Sequence, residues 1–193
     1  GNRKMLGDGE FSWVEKHVNE GLEDLDHLIL ASSLPWLLPP AIGDMQTVNE
    51  FAANRSGLRG AVAEKIRQTV DFEHWPAFLT SFLRLSQLII EAAGSSDRGP
   101  ATVSVLSGDV HHSYAARAHF PGDSAARVHQ LVCSPVHNYV PFFIKPVFKL
   151  GWSPRAAGVA RRWARRHGAP ALPMSWRNLS GPLFGNTIAT LET

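Results

Sequence analysis

The sequence predicts an α/β layered fold that is partly antiparallel towards its end. Helical and β-rich segments alternate along the first 106 residues, an order typical of layered α/β proteins. The β-rich runs at 28–31 and 101–106 are short and apolar, as buried strands are. A Pro-Gly-Asp turn at 121–123 separates two further β-rich runs, which predicts an antiparallel pair.

Length and composition indicate one globular domain. The 193 residues are 44% hydrophobic and 19% charged, enough apolar side chains for a core, which excludes disorder as a global description. No glycine period is present and 13 prolines are scattered, which excludes collagen-like and coiled-coil chains. The single cysteine, Cys133, excludes a disulfide framework and a multi-cysteine zinc site, and we expect it to be packed in a strand. The first residue is glycine and no targeting segment is visible, so the sequence leaves a cytoplasmic or exported location open.

The first half is predicted to hold three helices and one long connection. Apolar residues at helical spacing predict helices at 8–21, at 57–70 and, most clearly, at 75–93. Asp8 is the expected cap of the first helix, and Pro76 suits the first turn of the third. Residues 34–55 carry three prolines and little periodicity, so we expect a functional or mobile connection there.

In the second half, the hairpin strands are predicted at 114–120 and 127–133. Aromatic and basic helical segments should follow at 139–150 and 154–167. A final strand is expected at 186–191.

Charge is distributed unevenly along the chain. Residues 1–123 carry 10 Lys/Arg and 16 Asp/Glu, a balance of −6, whereas residues 124–193 carry 9 Lys/Arg and the single acid Glu192, a balance of +8. The last third therefore lacks carboxylates for acid–base chemistry but attracts anions. Phosphates, nucleic acid and anionic lipid are all compatible partners.

One dense cluster of polar residues, Ser-Gly-Asp-Val-His-His-Ser at 107–113, follows the strand at 101–106. Ligand sites of open α/β sheets form at this end of the strands. If the segment is extended, Asp109 and His111 point the same way, and a carboxylate beside an imidazole suits Mn, Fe, Zn or a mixed pair of metals. A capped turn with surface histidines is the equally open alternative. His112 should face away as a structural histidine, and His137 with Asn138, at another strand end, is the best candidate among the remaining histidines.

A second candidate is the basic helix that contains Trp163. One hypothesis is that this helix binds nucleic acid or lies on an anionic membrane. A second is that it is an ordinary solvated helix with Trp163 packed inward. A third is that it covers the site at 107–113 and attracts phosphate towards it. Its arginines and flanking tryptophan are Trp152, Arg155, Arg161, Arg162, Arg165 and Arg166. Motifs of serine-hydrolase elbows, zincins, P-loops and dinucleotide-binding loops do not occur in the sequence.

At 106–114, Leu-Ser-Gly-Asp-Val-His-His-Ser-Tyr, the chain resembles the PhoD-like (alkaline phosphatase D) branch of the calcineurin-like metallophosphoesterases. In that superfamily the last metal-binding motif is Gly-His-x-His, and in this branch the corresponding residues are Gly-Asp-Val-His. Four further segments are similar in order: Arg-Lys-Met-Leu-Gly at 3–7, Trp75 before a helix with Arg84, and the late stretches at 133–138 and 181–186, which resemble a bacterial subgroup of the family. The family's upstream metal motifs, including Asp-Asp-His-Glu, are absent, and Asp26-His27 is no substitute because it precedes a strand.

The resemblance implies that residues 1–193 are the carboxy-terminal part of one α-β-β-α metallophosphatase domain, with a basic helical insertion at about 139–168. It implies metal-dependent hydrolysis of phosphate monoesters or diesters by a metal-activated water, with two ions among Fe, Mn, Ca and Zn. Asp109 and His111 would be metal ligands and His112 a catalytic phosphate contact or a support for the ligands. His137 and Asn138 would contact substrate. We expect the isolated chain to bind metal weakly and to turn over slowly or not at all.

Two other hypotheses remain open from the residues alone. The chain could be a non-catalytic module that binds nucleic acid or membrane surfaces through residues 155–166. It could also be a structural fragment whose uncovered apolar face pairs with another copy, as a homo-oligomer.

Overall fold

The computed structural model describes residues 4–53, 74–94, 99–122, 124–134, 140 and 142–192. Helices and strands alternate within these residues, which confirms the predicted α/β class. In chain order the elements are α1 (Asp8–Asn19), β1 (His27–Ala31), α2 (Pro40–Ala53), α3 (Leu79–Gly94), β2 (Thr102–Ser107), β3 (Ser113–His119), β4 (Arg127–Val132), α4 (Lys145–Gly151), α5 (Pro154–Arg166) and β5 (Ser175–Leu183). Short 3-10 turns at Leu22–Asp24 and Trp75–Ala77 precede β1 and α3. The helix predicted at 57–70 lies outside the described residues.

The described strands form one five-stranded mixed sheet in the order β1-β2-β4-β3-β5. The three strands β1, β2 and β4 are parallel, while β3 runs antiparallel to both β4 and β5. The predicted antiparallel pairing towards the end of the chain is confirmed by β3 with β4 and β5. The chain leaves β2, passes the end of β4 to reach β3, and returns through the hairpin into β4. The connection after β2 must therefore cross the carboxyl end of β4.

Apolar faces of α1 and α3 cover the sheet. Phe11 of α1 and Phe82 and Ile89 of α3 are buried together with Val103 and Val105 of β2. The two helices are also joined by polar contacts, because Arg84 donates two 2.7 Å hydrogen bonds to the carboxylate of Glu15. Asp8 is not the predicted cap: Gly7 holds that position, and Asp8 begins the helix with an ion pair to Lys4.

The prediction of an irregular connection at 34–55 is wrong for its second half, because helix α2 begins at Pro40. Proline suits a first helical turn because the missing N–H would have no partner there. The first half, residues 32–39, is irregular and mostly buried: Ser33 is exposed, but residues 35–39 are all buried. We call residues 32–39 the buried loop.

Side chains from distant elements satisfy the backbone of the buried loop. Gln130 of β4 is fully buried and accepts hydrogen bonds from the amides of Trp36 and Leu37, at 2.9 and 3.2 Å. Its amide nitrogen donates to the carbonyl of Val105 at 3.0 Å. Tyr114 donates to the Leu37 carbonyl at 2.6 Å. A buried loop needs such partners, because unpaired backbone groups away from water are costly.

The strand predicted at 186–191 is also wrong: the last strand is β5, at Ser175–Leu183. This segment is mostly exposed, with Trp176 as its one buried residue, so it lacks the apolar pattern of the inner strands. Its position depends on pairing with β3, with register shifts near Ala115. Gly181 has a φ of +89°, and a Cβ there would lie 2.6 Å from the Ser113 carbonyl oxygen. Only glycine fits this close approach.

Two helices, α4 and α5, lie within the region 139–168, as expected. Two residues, Trp152 and Ser153, separate α4 from α5. Gly151, at the end of α4, packs so closely on the start of α2 that an added Cβ would be 2.9 Å from the Pro39 side chain. Among the described helices, none has the length and hydropathy needed to cross a membrane.

Candidate active site

The loop at Gly108–His112, here called the site loop, crosses the carboxyl end of β4. The Cys133 amide donates to the Ser107 carbonyl at 3.0 Å where the loop begins. At its end, the Ser113 hydroxyl accepts from the Ser134 amide and donates to the Ser134 carbonyl, both at 2.9 Å. The site loop is thus pinned at both ends to the residues that follow β4. Cys133 is only half-buried, although packing in the strand was expected.

The backbone of the site loop is left-handed at two non-glycine residues, Asp109 (φ 54°) and His111 (φ 55°). The extended conformation assumed from the sequence is therefore wrong. Both side chains are exposed, whereas Val110 between them is buried. Each left-handed residue costs on the order of 1 kcal/mol unless it is glycine, and such strain is concentrated at functional sites.

His112 is completely buried beneath this loop. Its ring lies 4.3 Å from that of Phe148 and 5.2 Å from that of Tyr114, centroid to centroid. Nδ1 lies 2.6 Å from the Val110 carbonyl oxygen, which can only accept, so Nδ1 carries the hydrogen. Burial lowers the pKa of His112 to about 4, more than its hydrogen bond to Val110 raises it. The ring is therefore neutral near pH 7, and Nε2 is a bare acceptor without a hydrogen-bond partner in the described chain.

The side chains of the site loop face a cleft of about 310 Å³. Its other wall is built from α2 and the residues before α3. The cleft is lined by Leu34, Leu38, Ile42, Gln46, His74, Asp109, Val110, His111, His112 and Phe148. The structure thus brings Asp109, His111 and His112 to one place, as predicted, although by a different backbone path.

Sequence reasoning missed the wall opposite the site loop. Gln46 of α2 is buried, and its amide nitrogen lies 3.2 Å from Nδ1 of His74. The other end of the Gln46 amide, Oε1, is buried without a partner in the described residues. No spacing in the sequence connects positions 46 and 74 with 109–112; only the packing of α2 brings them together.

Asp109 and His111 offer an oxygen and a nitrogen, which are suitable metal ligands. Within the described ranges, however, no three His, Cys, Asp or Glu side chains come together in a group that could hold a metal ion. By themselves these residues do not complete a two-metal centre. His137 and Asn138, the predicted substrate contacts, lie outside the described residues.

The basic helix α5 does not line this cleft. Arg161 turns towards α2 and pairs with the buried carboxylate of Asp44 at 3.0 Å. Burial raises the pKa of Asp44 to about 6, and Arg161 opposes this shift. Trp163 is 44% exposed, so the inward packing considered for it is wrong. The basic region reaches the cleft through Phe148 of α4.

Comparison of the chain with protein-family models, with curated proteins and with solved structures finds no match.

Proposed function

We propose that this chain is the carboxy-terminal portion of a metal-dependent phosphoester hydrolase of the PhoD-like kind. In this proposal the described sheet is one part of an α-β-β-α domain, and the substrate lies against the cleft at the carboxyl ends of β2 and β4. The substrate is a phosphate monoester or diester. The observation that carries the proposal is the strained pair Asp109 and His111, both left-handed and exposed on one cleft.

The donor set supports a partial site. Asp109 and His111 would hold a metal ion from one side, and the remaining ligands would come from residues outside those described here. A bound metal ion would supply an activated water and offset the phosphate charge. The low turnover expected of the isolated chain has the same cause: two ligands hold a metal weakly.

His112 is proposed to hold the loop in place. Its Nδ1–H fixes the Val110 carbonyl between the two ligands, and its neutral ring fills the space beneath them. It would act as a positioning residue, because its complete burial keeps it away from a substrate in the cleft. The basic region would favour an anionic substrate, and Lys145, whose Nζ lies 5.6 Å above the Phe184 ring beside His112, is one cation near this end of the sheet.

Metal binding tests this proposal directly. The 193-residue chain is titrated with Mn²⁺ and the free ion is followed by electron paramagnetic resonance. We expect weak binding that falls about tenfold or more in Asp109→Asn and in His111→Asn. The controls Asp24→Asn and His17→Asn, both exposed and distant in sequence from the site loop, should bind as the native chain does.

Hydrolysis is then measured with a chromogenic phosphodiester and monoester, with Mn, Fe, Ca and Zn, and with a chelator as control. Any turnover should be slow, chelator-sensitive and lost in Asp109→Asn. Mn²⁺ binding that neither site substitution changes would refute the ligand assignment. Tight, stoichiometric binding of two ions by this chain alone would refute the partial site.

A further inference from the structure

We propose that residues 142–166 bind the surface of an anionic membrane. This segment consists of helices α4 and α5 and the turn before them, and its exposed side is here called the hairpin surface. The proposal is independent of the chemistry proposed for the cleft. It begins from a group of large apolar side chains that the fold leaves in water. Their exposed fractions are 75% for Phe142, 65% for Phe143, 56% for Val147, 62% for Leu150, 68% for Val159 and 44% for Trp163.

Most of these side chains lie on the two helices. Val147 and Leu150 are three residues apart and share one side of α4, and Phe142 and Phe143 lie in the turn just before that helix. The opposite flank of α4 faces the protein through Phe148, which contacts the ring of His112. On α5, Val159 and Trp163 are four residues apart and both exposed, while Ala164 is buried. Each helix is thus anchored by one face and presents apolar groups on another.

Cations surround the apolar side chains. At 100° per residue, Arg155, Arg162 and Arg166 lie on the same outward face of α5 as Val159 and Trp163. Residues 139–168 contain seven Lys/Arg and no Asp/Glu. Arg161 points to Asp44 and is therefore used within the fold. The outward charge has no acidic counterpart on its own segment, so its complement is an anionic surface.

The mixture of side chains favours lipid over nucleic acid. Aromatic rings can stack on bases, but exposed Val147, Leu150 and Val159 have no role on a sugar-phosphate chain. In a membrane interface, by contrast, aliphatic groups and Phe enter the acyl boundary, Trp lies among the headgroups, and Arg reaches anionic phosphates. A short basic helix with such a face lies in the plane of the membrane surface.

The test is sedimentation of the 193-residue chain with 100 nm vesicles of phosphatidylcholine alone or with about 30% phosphatidylglycerol. We expect binding to the anionic vesicles, little binding to the neutral ones, and weakening as salt is raised. Phe142→Ser with Phe143→Ser should weaken binding about tenfold, since both side chains are removed from the apolar contact. Arg162→Gln with Arg166→Gln should weaken it similarly and reduce the salt dependence.

Ile188→Ser is the matched control, because Ile188 is 93% exposed but outside the hairpin surface. This variant should bind vesicles as the native chain does, and circular dichroism should be unchanged in every variant. Equal binding to neutral and anionic vesicles, or full binding by both double variants, would overturn the proposal. Binding of duplex or single-stranded DNA that depends on the arginines but not on Phe142 and Phe143, without vesicle binding, would also overturn it in favour of nucleic acid.

Discussion

The buried loop after β1 and the site loop after β2 leave neighbouring parallel strands at the same edge of the sheet, but they are built in opposite ways. In the buried loop, Gln130 and Tyr114 pair the backbone groups of residues whose side chains fill the core. In the site loop, Asp109 and His111 are exposed and left-handed, and a ring nitrogen of His112 is left without a partner in the described chain.

The first loop supports the second. The Gly108 amide donates to the Ser33 carbonyl at 3.2 Å, and the Ser107 hydroxyl donates to the Leu34 carbonyl at 3.3 Å. Strain persists in a loop only when its surroundings hold it there. A mostly buried segment, whose backbone at Trp36 and Leu37 is held by side-chain hydrogen bonds, therefore lies directly beside the strained one.

The largest effect on stability should come from removing the Gln130 side chain, which accepts hydrogen bonds from two amides of the buried loop. Gln130→Ala would leave the amides of Trp36 and Leu37 without their side-chain acceptor, would remove the donor to the Val105 carbonyl, and would open a cavity. We expect the free energy of unfolding to fall by about 3–5 kcal/mol. Urea unfolding measures it, with Gln87→Ala as the control, because Gln87 is exposed on α3 and should change stability by about 0.5 kcal/mol or less. Equal losses in the two variants would contradict this account.

The next effect is the pH dependence from His112. Its folded pKa, about 4, lies below the unfolded value of 6.5, so acid protonates the unfolded chain first. The stability from neutral His112 is complete above pH 6.5 and is lost as the pH falls towards 4, by about 3 kcal/mol in total.

His112→Phe removes this titration, so the difference in stability between native chain and variant should shrink with acidification across that window. The difference in stability between native chain and variant is measured because Asp44 also makes stability depend on pH, in the opposite direction. The pKa of Asp44 is raised to about 6, so its contribution to stability is complete below pH 3.8 and is lost as the pH rises through 6. A difference that stays constant from pH 7 to pH 4 would refute the assignment to His112.

A smaller effect is expected from one hydrogen bond of the buried loop. Tyr114→Phe leaves the Leu37 carbonyl without its donor and should cost about 1–2 kcal/mol. The control Ser124→Ala removes a partly buried hydroxyl-to-carbonyl bond of 3.1 Å from an exposed serine, and should cost less. Thermal or urea unfolding compares the two, and similar losses would show that burial does not set the cost.

The smallest effect has the opposite sign. His111→Gly relieves a left-handed residue and should raise stability by about 0.5–1 kcal/mol, while Mn²⁺ binding falls. A glycine in the buried loop, Leu37→Gly, should instead destabilise strongly because Leu37 is fully buried. Destabilisation by His111→Gly would show that the site loop is not strained.

Sequence reasoning succeeded where local pattern and burial agree. The apolar runs of β1, β2 and β4 are bounded by turn residues, and the broad apolar face of α3 continues over four turns, so these elements were placed within a few residues. The cluster at 107–113 was also found correctly at a strand end. Its left-handed backbone at Asp109 and His111 was not predicted, since the loop must cross the carboxyl end of β4 and that path depends on strand order.

The elements that were missed depend on partners distant in the chain. Helix α2 begins at a proline after a buried loop, and the loop is possible only because Gln130, 94 residues from Trp36, pairs its backbone. Strand β5 is polar and pairs with β3 rather than following its own hydrophobic pattern. His74 and Gln46 join the cleft through the packing of α2.

By itself, the sequence determined the α/β class, the inner strands, the excess of cations after residue 123 and the position of the Asp-Val-His-His cluster, because each depends on residues near one another in the chain. Only the tertiary structure decided which side chains share the cleft, which loop is strained, and which apolar groups of α4 and α5 remain in water. Those features depend on strand order and on long-range hydrogen bonds, which no local pattern records.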